Sequence, residues 1–184
     1  MDLQIESIDN KDWEIICELQ RNGRASLVEI GNKVDLRHPS VKARLDKLIR
    51  RGLIRVQANI NVAKLGYQLA LIVIEVNELP KALDNLDKLR QCPKVVLIAV
   101  KEGDYNLLIL VLYRKPGELK AFIEKRIRNI PGLRRLSVEN SFLLKPRFLP
   151  CELGNLSAIC DDECRTCEFK EEPFSCPGCN LGIK

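Results

Sequence analysis

Residues 26–52 decide the fold of the N-terminal part of the chain and read SLVEIGNKVDLRHPSVKARLDKLIRRG. Ser26 and Glu29 have the S-x-x-E spacing of a capping box, which satisfies two backbone amides at the start of a helix. After a short polar break, Pro39 stands in the first turn of the next helix, where proline is tolerated. Both helices carry apolar residues at helical spacing. The inward positions are Leu27, Ile30, Val34, Val41, Leu45, Leu48 and Ile49. The stretch predicts two helices joined by a tight turn.

A further helix and a strand flank this pair. Asp9 is a favourable N-cap for a helix that ends at Asn22-Gly23. The apolar positions of that helix are Trp13, Ile16 and Leu19. Residues 56–62 alternate between polar and apolar side chains and predict a strand that leads out of the helices. Together these elements predict a winged helix-turn-helix, whose last helix fits the major groove of double-stranded DNA.

The charge distribution agrees with a polyanionic partner. The net charge of the 184 residues is only +5, but residues 37–66 hold eight Lys or Arg against one acid, Asp46. Lysine and arginine neutralise phosphates, and the first turn of a recognition helix reaches base edges. The candidate DNA contacts are Arg37, His38, Ser40, Lys42, Arg44 and Lys47. The alternative is a solvated basic helix in an ordinary helical bundle.

The head of the chain resembles the Lrp/AsnC (feast/famine) family of transcriptional regulators. The resemblance is carried by Ile8-Asp9, residues 19–24 (LQRNGR), residues 41–44 (VKAR), residues 52–54 (GLI) and residues 64–66 (KLG). It implies that the third helix reads DNA as part of a dimer, through Arg37, His38, Ser40, Lys42 and Arg44. The chain departs from the family in the turn, where Asp35 and Arg37 replace the usual glycine and serine.

The middle of the chain predicts a ferredoxin-like domain. Its predicted strands are 67–77, 95–100, 107–113 and 133–144, and its predicted helices are 79–90 and 118–128. The order βαββαβ is that of the ferredoxin-like arrangement. It also resembles the regulatory domain of the same family, which forms dimers through its sheet and often binds an amino acid between dimers.

The turn between the second and third predicted strands is the candidate effector site. Its residues are Gly103, Asp104, Tyr105 and Asn106. This turn resembles the effector-side loop of the family, which has aspartate more often than asparagine at the last position. The resemblance implies an amino acid or another small effector, and the alternative is a plain hairpin turn.

Six of the eight cysteines fall between Cys151 and Cys179. Cys164 with Cys167 and Cys176 with Cys179 form two C-x-x-C pairs, the spacing at which four thiolates complete a tetrahedral Zn²⁺ site. A segment with so few large apolar residues needs such a staple to fold. The alternative is a [4Fe–4S] cluster held by Cys160, Cys164, Cys167 and a fourth cysteine.

The two remaining cysteines, Cys17 and Cys92, are predicted to be small buried residues.

The sequence as a whole predicts an α+β protein of three parts. These are a winged helix-turn-helix at residues 1–62, a ferredoxin-like dimerisation and effector domain at 63–148, and a small metal-stapled tail at 149–184. The expected protein is a cytoplasmic homodimer or higher oligomer that binds double-stranded DNA, with no membrane segment and no secretory signal. It is modulated by a small ligand, by the metal tail, or by both.

Two alternatives to this function remain open at this point. One is an iron–sulfur redox-sensing regulator. The other is an enzyme similar to the siroheme decarboxylases, with a vestigial head. No carboxylate pair or Ser-His arrangement indicates catalysis, and the single histidine, His38, lies in the presumed DNA helix. The sequence therefore favours a protein that is not an enzyme.

Overall fold

A computed structural model of the chain describes residues 7–151, 153, 167–171 and 174. The chain divides into two compact units, the head (Met1–Ala58) and the second unit (Asn59–Lys184). The boundary predicted after residue 148 falls inside the second unit, because Leu149, Cys151 and Leu153 pack against Tyr67 and Leu112. Among the helices that the structure describes, none has the length and apolarity needed to cross a bilayer.

Three helices form the head. They are α1 (Asn10–Arg21), α2 (Leu27–Val34) and α3 (His38–Arg50). Their shared core contains Ile15, Ile30, Val34 and Val41, each at most 2% exposed. The predicted capping box is present. Glu29 N donates to Ser26 Oγ at 3.2 Å, and Ser26 N donates to Glu29 Oε2 at 2.7 Å.

The turn between α2 and α3 is tight and depends on a glycine one turn before it. Leu36 N donates to Gly31 O at 2.9 Å, which draws the chain back over α2. A Cβ at Gly31 would lie only 2.4 Å from the Leu36 carbonyl oxygen. Asp35, at the usual glycine position of the turn, adopts the left-handed region with φ 53°. Aspartate enters this region more readily than β-branched residues do.

Two details predicted for the head are wrong. Trp13 is 52% exposed, because the buried line of α1 contains Asp12, Ile15 and Ile16 instead. Because Asp12 is polar, a search for apolar residues at helical spacing does not identify this line as the buried one. Residues 56–62 form no strand, and their only ladder contact in the described chain is a bridge from Ile60 to Leu149.

The second unit has the predicted βαββαβ order. Its strands are β1 (Gln68–Val76), β2 (Val95–Val100), β3 (Leu107–Tyr113) and β4 (Leu133–Ser141). Its helices are α4 (Leu79–Asp84), α5 (Asp87–Arg90) and α6 (Pro116–Phe122), the last continuing into a wider π-type turn, Ile123–Ile127. The strands pair antiparallel in the order β2-β3-β1-β4. This is the ferredoxin-like arrangement expected from the sequence.

The two faces of this sheet differ. Alternate residues of each strand point to opposite faces, and one set packs with the helices. That core includes Ala70, Ile72, Ile74, Leu107, Ile109, Leu86, Leu119, Phe122 and Ile127. The pairing register places the other set in rows across the strands. One row contains Leu97, Leu110, Leu71 and Glu139, and the next contains Ala99, Leu108, Val73 and Ser137. We call these two rows the open face.

Three boundaries and two cysteines differ from the predictions. The helix predicted at 79–90 breaks after Asp84, because Asn85 Nδ2 donates to the Lys81 carbonyl at 2.8 Å and ends α4. The helix predicted at 118–128 begins at Pro116, and β4 ends at Ser141 instead of residue 144. Phe142 and Leu144 are consequently 93% and 88% exposed. Cys17 is exposed and Cys92 only partly buried, so their predicted burial is wrong.

Candidate nucleic-acid interface

Helix α3 exposes most of the residues predicted to contact DNA. Arg37, immediately before the helix, is exposed and its side chain does not cap α3. The exposed predicted residues on the helix are His38, Ser40, Lys42 and Lys47. Within the described part of the chain, Arg37, Lys42 and Lys47 make no ion pair, so their charges face solvent. Val41 and Leu48, fully buried, hold the opposite side of the helix against the head.

Arg44, one of the residues predicted to contact DNA, is paired with carboxylates of the head. Its Nη1 atom lies 2.6 Å from Asp9 Oδ2 and 2.8 Å from Asp12 Oδ1, and its side chain is 33% exposed. Asp9 is the N-cap of α1 and accepts from Asp12 N at 2.8 Å. Arg44 therefore ties α3 to the first turn of α1. It thereby helps to fix the orientation of α3.

Two more polar contacts fix the helices of the head. Lys11 Nζ donates to the Val34 carbonyl at 2.7 Å and so joins α1 to the end of α2. Glu18 receives Arg21 Nη1 at 2.8 Å and Lys33 Nζ at 2.5 Å. Charged residues of α1 thus serve to hold the neighbouring helix α2 as well as α3.

These contacts lower the pKa values of two carboxyl groups that accept them. The hydrogen bond from Arg44 holds the pKa of Asp9 below its usual value, and the hydrogen bond from Lys33 does the same for the pKa of Glu18. Each carboxyl stays charged to lower pH in the folded head than in an unfolded chain. The head gains stability from both groups above their ordinary pKa values.

The outermost line of α3 includes residues that the sequence interpretation missed. Pro39, Ala43, Asp46 and Arg50 are all exposed and are spaced four, three and four residues apart, so they lie along one line of the helix surface. Their spacing from the buried residues Val41 and Leu48 could have identified this exposed line from the sequence. Asp46 is the one acid in the line. Phosphates repel a carboxylate, whereas the amino group of cytosine donates to one.

The candidate effector turn is held by its last residue. Asn106 Nδ2 donates to Val76 O at 2.8 Å, and Asn106 Oδ1 accepts from Val76 N at 3.0 Å. Both halves of the amide are needed, since aspartate has no N–H to offer the carbonyl. Gly103 adopts φ 103°, Asp104 is exposed, and Tyr105 is half-buried. The structure thus brings the four predicted residues into one hairpin turn and gives Asn106 a structural role in it.

Most of the cysteines predicted to bind metal lie outside the described residues. These are Cys160, Cys164, Cys176 and Cys179. Cys167 is half-buried and immediately precedes a 3₁₀ turn, Glu168–Lys170. Cys151 is buried, and burial raises the pKa of its thiol. Among described residues, no group of three or more His, Cys, Asp or Glu side chains has the arrangement of a metal site.

Two known protein families match this chain, one in the head and one in the second unit. Residues 8–55 match the family of winged helix-turn-helix DNA-binding domains. Residues 67–145 match the family described as the PF0864 C-terminal dimeric alpha+beta barrel domain, an AsnC-type regulatory domain. Both matches end before the cysteine-rich tail.

Relatives from archaea match over both parts. An uncharacterised HTH-type transcriptional regulator of Pyrococcus abyssi is 32% identical over 137 residues, which are 74% of this chain and 85% of the relative. The HTH-type transcriptional regulator FL11 of the same organism is 32% identical over 129 residues, 69% of this chain and 84% of the relative.

Solved structures show the same fold. AsnC of E. coli superposes with a TM-score of 0.64 at 21% identity, covering 75% of this chain and 94% of AsnC. The regulatory protein PF0864 of Pyrococcus furiosus, a member of the AsnC family, superposes with a TM-score of 0.54 at 26% identity, covering 77% and 95%.

The tie made by Arg44 predicts how the stability of the head responds to mutation and acid. Arg44→Ala leaves the buried Asp12 carboxylate without this partner, which should cost about 1–3 kcal/mol of unfolding free energy at pH 7. The stabilisation from Asp9 is present above its ordinary pKa of 3.8 and is lost as the pH falls through the lowered pKa of the folded head. Arg44→Ala should therefore also flatten the acid dependence of stability.

Urea unfolding monitored by the fluorescence of Trp13 measures this effect, because the only tryptophan lies in α1. Arg21→Ala is the matched control, since Arg21 is 74% exposed and its pair with Glu18 contributes less than about 1 kcal/mol. Equal stability of the two variants would contradict the role assigned to Arg44.

Proposed function

The chain belongs to the Lrp/AsnC family of helix-turn-helix transcriptional regulators, and we propose that it binds operator DNA through the exposed face of α3. The observation that carries this proposal is the division of the basic residues of the head. Arg44 holds α3 in place, while Arg37, Lys42 and Lys47 remain exposed and unpaired in the described chain. The matching relatives are regulators, which argues against the decarboxylase alternative.

Within this interface the residues have different tasks. Arg37, Lys42 and Lys47 neutralise phosphates and supply affinity that does not depend on sequence. His38 and Ser40 lie in the first turn of α3, where recognition helices contact base edges. Asp46 lies on the outermost line, where it disfavours phosphate and favours an amino group of a base. Specificity then comes from the first turn and the centre of the helix.

We further propose that two copies pair through the open face of the sheet. Its rows are apolar across β1, β2 and β3, and Leu97 is 48% exposed. Part of the face is covered within the chain, because Leu110 packs against the cluster that contains Leu149, Cys151 and Leu153. The matching family is described as a dimeric alpha+beta barrel domain, which supports the pairing of two such sheets. A two-fold dimer carries two heads and would bind a pseudo-palindromic site.

Regulation by an amino acid or another small effector at residues 103–106 stays a second proposal. The hairpin turn is accessible at Asp104, but Asn106 is occupied by the backbone of Val76. A ligand at this turn would therefore contact Gly103, Asp104 or Tyr105.

We also propose that the tail binds a metal ion through Cys164, Cys167, Cys176 and Cys179. Two C-x-x-C pairs without histidine fit a structural Zn²⁺ site. A [4Fe–4S] cluster that uses Cys160, Cys164 and Cys167 is the alternative, and it would make the tail a redox sensor.

The proposed phosphate contacts predict a specific change in salt dependence. Lys42→Ala with Lys47→Ala should weaken operator binding and lower the slope of log K against log salt by about 1 for each phosphate that is no longer neutralised. Binding isotherms at several salt concentrations measure the slope. Lys81→Ala, which removes an exposed lysine of the second unit, should leave it unchanged. An unaltered slope in the double variant would exclude this face as the DNA-binding surface.

The proposed dimer predicts a change in mass on charging the open face. Leu97→Lys places a charge in an apolar interface and should shift the protein toward its 21.0 kDa monomer. Light scattering after gel filtration measures the mass. Val138→Lys is the control, because Val138 is 36% exposed but pairs with Ile72 on the helix-covered side. Dissociation by the control and not by Leu97→Lys would contradict the assignment of the interface.

Metal analysis of protein purified without oxygen tests the tail. A colourless protein with about one zinc ion per chain, lost in Cys176→Ser with Cys179→Ser, is the expected result. A brown protein with about four iron ions per chain would replace zinc with the cluster.

A further inference from the structure

Two aromatic residues of the tail, Phe169 and Phe174, pack against α6 and the π-type turn that follows it. Phe169 is 9% exposed and meets Phe174 edge to face, with ring centroids 4.7 Å apart. Lys120 Nζ lies 4.7 Å from the centroid of Phe174, and Lys125 Nζ lies 5.4 Å from that of Phe169. Ammonium groups at these distances from aromatic rings attract them electrostatically. Contacts between these two rings and two lysines therefore hold the segment against α6 and the turn that follows it.

The backbones of the tail and of α6 also come into direct contact. A Cβ at Gly117 would lie 1.4 Å from the carbonyl oxygen of Phe174, so a side chain there cannot be accommodated without moving the tail. Gly117 lies in the first turn of α6 and has no left-handed backbone to explain its presence. Close approach of Phe174 is the property that requires glycine at this position.

The surface that receives the tail is tied to the core by a buried ion pair. Glu118, in the same turn as Gly117, is 2% exposed and forms a buried ion pair with Lys94. Its second oxygen, Oε2, accepts from Arg114 N at 2.7 Å. Removing one partner of a buried pair is strongly destabilising, so the pair holds α6 against the start of β2. The tail therefore docks on a helix whose position is fixed by the core.

The sequence places the proposed metal ligands on both sides of the docked segment. Cys164 and Cys167 precede it, and Cys176 and Cys179 follow it. Four thiolates around Zn²⁺ carry a net charge of about −2. An ion bound by both pairs would close residues 168–175 into a loop and lower the entropy lost when this loop docks.

We propose that the surface formed by Gly117 and Lys120 of α6 and by Lys125 of the following turn is the docking site for the metal-loaded tail, so that metal binding and docking strengthen each other. This inference rests on the proposed metal site. Because coupling between two binding events is reciprocal, a change that prevents docking must weaken metal affinity by the same factor by which metal strengthens docking.

Zinc affinity of the intact, reduced chain tests the coupling, measured by competition with a chromophoric chelator. Gly117→Ala should weaken zinc binding by about 5- to 150-fold, the usual range for coupled sites. Alanine is the better helix former, so α6 itself is not weakened. Gly23→Ala is the matched control, because a Cβ there meets only an ordinary contact at 3.8 Å. Phe174→Ala should reproduce the loss, and Phe142→Ala, which changes a 93% exposed ring, should not.

Hydrogen exchange of residues 116–127 provides a second readout. Zinc should slow exchange of these amides in the native sequence by about tenfold or more, and the effect should vanish in Cys176→Ser with Cys179→Ser. Equal zinc affinity in Gly117→Ala, Phe174→Ala and the native sequence would overturn the coupling while leaving the metal site standing. Failure of the native chain to bind zinc would overturn the metal site as well. Neither result bears on DNA binding, which is measured through Lys42 and Lys47.

Discussion

The architecture depends on a difference between the two faces of the sheet, because the helices cover only one of them. Strand residues alternate between faces, so a run of apolar residues such as LALIVI in β1 sends half of its side chains away from the helices. The helices cover Ala70, Ile72 and Ile74, whereas Leu71 and Val73 belong to the open face. An apolar sheet face needs a covering surface. In the proposed dimer a second copy of the same sheet would satisfy this need, and it would bring two heads to one DNA target.

The head shows how one class of residue serves two purposes. Basic side chains that pair with a carboxylate within the head, such as Arg44 and Lys33, hold helices together. Those that meet none among the described residues, such as Lys42 and Lys47, leave their charge to solvent or to a ligand. Composition alone cannot separate the two groups, because the separation depends on which acids lie nearby in space. A recognition helix needs both groups, since a charged face binds DNA selectively only if its orientation is fixed.

This distinction also explains how far the sequence predicts the structure. The capping box at Ser26 and the order of strands and helices were predicted, since both depend on residues close in sequence or on local periodicity. The ion pair made by Arg44 was not predicted, because its partner Asp9 caps another helix. The strand at residues 56–62 was predicted from alternation, but a strand also needs a partner, and in the described chain Ile60 has only a single bridge, to Leu149. Gly117 gave no signal, because the carbonyl that requires it comes from Phe174, far along the chain.

Helix α6 connects the tail to the sheet. On its outer side it meets Phe174, and on its inner side Glu118 is paired with Lys94 at the start of β2. The carbonyl of Lys94 accepts from Leu112 N at 2.8 Å, which joins the same point to β3. Removing one partner of a buried pair leaves an uncompensated charge, so Lys94 and Glu118 tie α6 to the start of β2. Leu97, three residues after Lys94, lies on the open face. The helix that meets the tail and the proposed dimer face thus lie on opposite sides of the same sheet.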